Sequence, residues 1–154
     1  LHLGGETIRV LAPGVGHTDG DLVALFVERK LLVTGDLFME NFEPEADASS
    51  GGSLLALRQT LQTLEALDFE TALPGHGEPV SKQVFMQASA YLTALETQIR
   101  ALRSAGRSVE EVVSLVKVDQ FSELRPIPTM ASRRISIETI FRELDALEAK
   151  PGAH

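Results

Sequence analysis

The sequence has no Cys and no Trp, and it contains a single Tyr among its 154 residues. The absence of Cys excludes disulfide bonds, thiolate nucleophiles and zinc sites built on Cys ligands. No run of about 18 apolar residues occurs, so the sequence predicts no membrane-spanning helix. The segment 1–10 also lacks the basic region and following apolar run that are typical of a signal peptide. These absences indicate a globular chain without covalent cross-links, and they leave its cellular compartment open.

Positive charge is scarce as well. The chain has 14 Lys and Arg residues against 22 Asp and Glu residues, which gives a formal net charge of −8. So acidic a chain would repel a phosphate backbone, and we therefore expect no nucleic-acid partner. With 44% hydrophobic and 23% charged residues, the composition predicts a folded domain rather than a disordered chain.

Short apolar runs lie between clustered Gly and Pro residues in the first half of the chain. Runs of this length, bounded by turn residues, predict β-strands over 6–11, 21–27, 30–34 and 70–73. The short polar gap between the second and third runs predicts a hairpin or meander. Before the fourth strand, apolar residues at spacings of three and four predict a helix over 53–67, with Ser53 as its N-cap.

From about residue 81 the periodicity becomes helical. An apolar stripe over 84–102 predicts a long helix that ends near Gly106. The sequence Ser-Val-Glu-Glu at 108–111 has the form of a capping box, so a second helix is expected from there to about Val118. A third helix is expected over 137–147, before the Pro-Gly pair that follows it.

The chain thus changes character near residue 80. Residues 1–80 combine the predicted strands with one helix, whereas residues 81–150 form a helical extension that we expect to pack on them. The tail 151–154 is expected to be frayed.

Three short motifs place polar side chains in Gly- and Pro-rich loops at the ends of predicted strands. His17 and His76 lie in two such loops, and Asp36 follows the third predicted strand and one Gly. Taken alone, each has an ordinary structural explanation, as a surface His in a turn or as a capping Asp. Taken together, two neutral imidazoles and a carboxylate suit zinc or a similar divalent ion, with positions left open for water. Asp19 and Asp21 near His17 either orient the imidazole or form turns.

In order and spacing, these motifs resemble the second half of the metallo-β-lactamase superfamily of metallohydrolases: Gly16-His17-Thr18, Thr34-Gly35-Asp36 and Pro74-Gly75-His76-Gly77. The stretch Gly-Gly-Ser at 51–53 is similar to the glyoxalase-II-like and quinoprotein-associated branch. The resemblance implies an α+β fold, in which 1–80 is the second half of an αββα sandwich and C-terminal helices follow. It also implies that the metal ions lie at one edge of two facing sheets.

The resemblance further implies a role for each residue. His17 would be a ligand of the first metal ion, His76 would be a ligand of the second, and Asp36 would bridge both as a catalytic carboxylate. The implied cofactor is a pair of zinc ions, although iron or manganese suits the same ligands. The implied activity is hydrolysis of an ester, thioester, lactam or phosphoester bond in a small-molecule substrate by a metal-bound hydroxide.

One motif of the family is absent from this sequence. The leading His-x-His-x-Asp-His motif does not occur, and only His2 precedes His17. We therefore expect a fragment that is inactive on its own because it holds metal weakly. We also expect an apolar sheet face, including the run 22–27, that a missing N-terminal half or a dimer partner would cover.

The sequence leaves two alternatives to the metal-dependent hydrolase. The chain is either a metal-dependent hydrolase or a non-catalytic, partner-binding remnant of the same fold, with the helical region as its interaction surface. A nuclease or phosphodiesterase of the same superfamily is disfavoured by the net charge of −8 and by the lack of a basic stripe.

Overall fold

The computed structural model describes residues 1–127 and 133–149. The predicted frayed tail, 151–154, lies outside the described residues. Within them, no helix is long and apolar enough to cross a lipid bilayer.

A single sheet organises the first half of the chain. Its strands, in both spatial and sequence order, are β1 (His2–Leu3), β2 (Glu6–Leu11), β3 (Val23–Phe26), β4 (Leu31–Met39), β5 (Thr71–His76) and β6 (Val80–Ser81). The first four strands pair antiparallel, β4 and β5 pair parallel, and β6 returns antiparallel to β5. The parallel pair requires a crossover connection, which contains a helix.

The helices follow the predicted pattern closely. They are α1 (Leu54–Glu65) in the crossover, then α2 (Lys82–Ser104), α3 (Val109–Leu115) and α4 (Arg133–Glu148). Ser53 caps α1 by accepting a hydrogen bond from Ala56 N, and Ser108 with Glu111 forms the predicted capping box of α3. The α+β prediction is confirmed. Helix α3 is shorter than predicted because Val116 adopts an extended conformation, with φ −65° and ψ 130°.

The two faces of the sheet differ in burial. Leu25, Leu32 and Ala72 are paired across β3, β4 and β5, and all three are buried under the helices. On the opposite face, Val10 is 52% exposed, and the residues paired beside it on β3 and β4 are only half-buried. The helices therefore cover one side of the sheet, and the other side keeps apolar surface.

Two strand boundaries predicted from the sequence are wrong. Strand β4 continues through Gly35 and Asp36 to Met39, and β5 continues through Pro74 to His76. Gly and Pro normally interrupt strands, but Gly35 has a positive φ of 55° and lies at a shift in the register of the parallel pair. Strand β6 pairs only with the start of β5, and Pro74 lies beyond that pairing. The missing N–H of Pro74 therefore leaves no β6 carbonyl without a donor. Asp36 is consequently part of a strand rather than the residue that follows one.

Candidate metal centre

Three polar side chains meet near the carboxyl ends of β4 and β5. Asp36 lies in β4, His76 is the last residue of β5, and His17 comes from the loop after β2. His76 Nε2 lies 3.4 Å from Asp36 Oδ1, and His17 Nε2 lies 4.0 Å from Asp36 Oδ2. The carboxylate therefore stands between two imidazoles, with one imidazole at each oxygen. The structure brings together all three residues that the sequence analysis selected.

The position of Asp36 depends on a glycine in the neighbouring strand. A Cβ atom at Gly75 would lie 2.0 Å from Asp36 Oδ1 and 2.9 Å from Asp36 N. No real side chain fits at such distances, so the carboxylate can lie across β5 only because position 75 is Gly. The Asp36 side chain remains 41% exposed, which leaves its oxygens accessible to a ligand.

The loop that carries His17 is held by a second loop, 45–53, and we refer to the two together as the clasp. Three backbone hydrogen bonds join them: Asp47 N to His17 O (2.8 Å), Asp19 N to Ser50 O (3.0 Å) and Ser53 N to Gly16 O (3.0 Å). A Cβ atom at Gly52 would lie 2.1 Å from His17 O. The backbone of His17 is thus fixed by main-chain contacts that leave no space for a side chain at position 52.

A carboxylate stabilises the second loop of the clasp. Asp47 precedes a short 3-10 turn, Ala48–Ser50, and its oxygens accept hydrogen bonds from Ser49 N, Ser49 Oγ and Ser50 Oγ. These bonds, with Ser49 contributing most, lower the pKa of Asp47 to about 2. Because hydrogen bonds to a carboxylate favour its charged form, this cap stays ionised across the neutral range.

The imidazole of His17 has a defined orientation. Its Nδ1 lies 3.4 Å from the carbonyl oxygen of Glu45, at the outer limit of hydrogen-bond distance. A carbonyl only accepts, so this contact favours the tautomer with the proton on Nδ1 and leaves the Nε2 lone pair directed toward Asp36. Carbonyl contacts of this kind orient His side chains that bind metals.

His76 is held differently. Glu40 N donates to His76 O (3.0 Å), and Glu40 Oε2 accepts from Glu78 N (2.7 Å). The following residue, Gly77, has φ +103°, and a Cβ there would lie 2.5 Å from Glu40 Cβ. The His76 side chain itself is 64% exposed, compared with 14% for His17. Its backbone is therefore anchored, while its imidazole projects into solvent.

The three side chains line one cavity of about 290 Å³. The other lining residues are Met39, Phe42, Glu45 and Ile127. Three of these are apolar, so the cavity has a polar end with a carboxylate and two imidazoles and an apolar wall beside it. The wall was not predicted from the sequence, although Met39 lies in β4 with Asp36 and Phe42 follows three residues later. The Glu45 carbonyl gave no signal, because a backbone atom is not specified by residue type.

The two other acids near His17 do not touch its ring. Asp21 accepts from Thr18 N (3.0 Å) and Thr18 Oγ1 (2.7 Å), which makes it a turn-forming residue. Asp19 is exposed, and its side chain lies over Gly51. Among the hydrogen bonds of the described residues, the one to the His17 ring comes from the Glu45 carbonyl. Orientation of the imidazole by Asp19 therefore stays a prediction that this geometry does not favour.

The chemistry of the three side chains suits a divalent cation. With its proton on Nδ1, His17 directs an acceptor nitrogen toward the Asp36 carboxylate, which is also an acceptor, and a cation between them would satisfy both. No group of three or more His, Asp or Glu side chains within residues 1–127 and 133–149 could hold a metal ion by itself. The arrangement of one imidazole at each oxygen fits a carboxylate shared between two incomplete sites better than it fits one complete site.

Comparison with known proteins places this geometry in a family context. Residues 1–76 match the family model described as the metallo-β-lactamase superfamily, a range that includes all three side chains. No curated protein matches the chain.

Solved structures supply a likeness of fold. A metallo-β-lactamase from Pontibacter korlensis superposes with a TM-score of 0.53 and 21% sequence identity, covering 60% of this chain and 44% of that protein. The DIM-1 metallo-β-lactamase exposed to ceftazidime gives a TM-score of 0.49 and 18% identity, covering 58% of this chain and 45% of that protein. The corresponding values for the TMB-1 protein are 0.49, 18%, 60% and 46%. The chain thus spans less than half the length of each of these proteins.

Proposed function

We propose that this chain, whose residues 1–76 match the family model of the metallo-β-lactamase superfamily, carries part of the active site of a metal-dependent hydrolase. The observation that supports this most strongly is the position of the Asp36 carboxylate between His17 and His76. Neither imidazole pairs with another carboxylate among the described residues. Both imidazoles and the carboxylate line the same cavity, which a metal-binding role explains.

In the proposed site, Asp36 would be shared by two zinc ions, His17 would bind one and His76 the other. Iron or manganese would suit the same atoms. A bound ion of this kind lowers the pKa of water so that hydroxide is available near neutral pH. Two features of this chain would support that chemistry. The Glu45 carbonyl orients the His17 imidazole, and the apolar wall shields one side of the cavity from water.

The cavity favours a small-molecule substrate. Its volume of about 290 Å³ is at the lower end of ordinary ligand pockets, and Met39, Phe42 and Ile127 would contact an apolar group next to the scissile bond. An ester, thioester or lactam meets this description. The assignment to the glyoxalase-II-like branch stays a prediction.

The same geometry supports low activity for this chain alone. Three monodentate ligands divided between two ions hold metal weakly, since each ion lacks most of its coordination shell. Further ligands would come from outside the described residues. An N-terminal half or a second copy that covered the free side of the sheet would bring additional side chains near the same edge.

Zinc binding to the 154-residue chain tests the proposal. We expect zinc to bind the wild-type chain, as measured by isothermal titration calorimetry. Zinc should also shift the imidazole NMR signals of both His17 and His76. Asp36→Ala should weaken binding by about tenfold or more, because it removes the shared ligand, with the circular dichroism spectrum unchanged.

The matched control is Asp19→Ala, which removes an exposed carboxylate from the same region but leaves the three candidate ligands in place. Equal zinc affinity in the Asp36 and Asp19 variants would contradict the proposal. A wild-type chain that binds no zinc would favour the second function, a non-catalytic protein that binds a partner.

A further inference from the structure

A buried carboxylate lies behind the cavity, outside the candidate ligand set. Glu43 follows β4 and is 2% exposed. Its Oε1 accepts hydrogen bonds from Arg133 Nε (2.9 Å) and Arg133 Nη2 (2.7 Å). Arg133 is the first residue of α4 and is 90 positions away in the sequence. The ion pair therefore links the end of β4 directly to the C-terminal helix.

A buried hydroxyl lies near this ion pair. Tyr91 of α2 is fully buried, and burial together with the negative charge of Glu43 raises its pKa well above the usual range. Neither Glu43 Oε2 nor Tyr91 Oη has a hydrogen-bond partner among the described residues. Arg133 is thus the principal group that neutralises the charge of Glu43, and a buried carboxylate without such a partner is strongly unfavourable.

Glu43 belongs to the short segment that builds the cavity wall, 41–45. The segment starts at Asn41, which has an unusual φ of +60° for a residue other than Gly. Backbone hydrogen bonds to Arg125 hold it on both sides, from Arg125 N to Asn41 O and from Glu43 N to Arg125 O, each 2.9 Å. Its members Phe42 and Glu45 line the cavity, and the Glu45 carbonyl is the one that faces His17.

We propose that Glu43 and Arg133 are positioning residues for His17. The ion pair fixes the segment 41–45, and the segment presents the Glu45 carbonyl that selects the His17 tautomer. Helix α4 then contributes to the site although none of its residues lines the cavity. The proposal rests on the proposed function only in one respect, namely that His17 is a metal ligand.

The experiment compares three substitutions in the 154-residue chain. Arg133→Met removes the charge, and Arg133→Lys keeps the charge but loses the forked geometry. Glu96→Gln is the control, because Glu96 forms a largely buried ion pair with Arg58 that joins α1 to α2 away from the cavity. The imidazole nitrogen signals of His17 and His76 are recorded by NMR without metal, and zinc affinity is then measured by calorimetry.

Arg133→Met should shift the tautomer ratio of His17 and leave His76 unchanged, since His76 is held by Glu40 and not by the segment. Zinc affinity should fall about tenfold, as is typical when a group that orients a ligand is removed. Arg133→Lys should shift the His17 signals less than Arg133→Met does, because the charge is kept, but more than Glu96→Gln, because the forked contact is lost. Glu96→Gln should lower stability without moving the signals of either His.

The outcomes separate this inference from the proposed function. Unchanged His17 signals in folded Arg133→Met, or an equal change in Glu96→Gln, would overturn the positioning role even if zinc binds normally. If Arg133→Met does not fold, Arg133→Lys decides, because a His17 shift larger than that of Glu96→Gln is still required. A His17 shift in a chain that binds no zinc would support the inference and contradict the proposed function.

Discussion

The two histidines beside Asp36 are held in very different ways. His17 is 14% exposed, its backbone is fixed by the clasp, and its ring faces a carbonyl. His76 is 64% exposed, and its backbone oxygen accepts a hydrogen bond from Glu40 N. One flank of the carboxylate is therefore ordered in advance by contacts distant in sequence, whereas the other flank is ordered mainly by the register of β5.

This difference has a consequence for ligand binding. A pre-oriented imidazole loses little rotational freedom when it binds a metal ion, but an exposed imidazole loses more. If two ions share Asp36, the ion next to His17 should bind more tightly than the ion next to His76. Substitutions that act on one flank alone are the most direct way to test this comparison.

The largest effect is expected from Gly52→Ala, which acts on the His17 flank. The new Cβ would lie 2.1 Å from His17 O and 2.9 Å from Asp47 N and O, all of them backbone atoms that cannot rotate away. We expect a loss of about 2–3 kcal/mol in the free energy of unfolding, as in other overpacked sites. Urea denaturation measures this loss. NMR should show shifted His17 signals and unchanged His76 signals.

Gly20→Ala is the control for this substitution. It adds the same methyl group in the loop that carries His17, and no atom lies within 4 Å of the added Cβ. Its stability should stay within about 0.5 kcal/mol of wild type. Similar stability in the two variants, with His17 unmoved, would show that the clasp does not hold this flank.

Gly75→Ala should have a smaller effect on stability, but it should disturb both His17 and His76. Its Cβ would lie 2.0 Å from Asp36 Oδ1, which can rotate away at the cost of its place between the histidines, and 2.8 and 2.9 Å from the backbone atoms Gly35 C and Asp36 N, which cannot. We expect a loss of about 1–2 kcal/mol in stability. Both imidazoles should shift in the NMR spectrum while the amide signals of the clasp stay in place.

The same Gly20 variant serves as the reference for this measurement. Gly75→Ala should also lower zinc affinity, whereas Gly52→Ala should lower it only through His17. If Gly75→Ala moved the clasp but not His76, the carboxylate would not be the shared element of the two flanks.

Much of this architecture is readable from local sequence. The caps of α1 and α3 were predictable because a Ser side chain at the start of an apolar helical stripe has a specific partner in the next turn. That His17, Asp36 and His76 lie together was also predictable, since each is next to a Gly at or near the end of a predicted strand, while their role as ligands stays a prediction. Both kinds of feature depend on only a few neighbouring residues, so they can be predicted from local sequence.

The features that distinguish the flanks were not predictable in the same way. The Glu45 carbonyl reaches His17 across 28 residues, and Glu43 meets Arg133 across 90. Such contacts depend on how the sheet and helices pack, and a charged residue in a loop gives no sign that it will be buried. The extent of β4 was missed for a related reason, because pairing with β5 stabilises Gly35 in a strand that its local preference disfavours.

The smallest effect is expected from protonation of Asp47, which caps the short 3-10 turn in the clasp. The pKa of Asp47 is lowered from 3.8 to about 2, so its charged form is the one that the folded state favours. Its contribution is therefore fully present above pH 3.8 and is lost as the pH falls through about 2. The group is fully exposed, so we expect local loosening rather than unfolding. The amide signals of Ser49, Ser50 and His17 should stay constant down to about pH 4 and change together below it.

Asp47→Asn is the matched variant for this titration. The amide keeps one acceptor oxygen but has no proton to gain, so the same signals should show no transition in the acid range. His76 lies on the other flank, and its amide should not follow the transition of Asp47 in the wild-type chain. A common transition at both histidines would mean that the flanks are coupled through Asp36 even without metal, and the difference in their exposure would then not reflect independent control of the two sites.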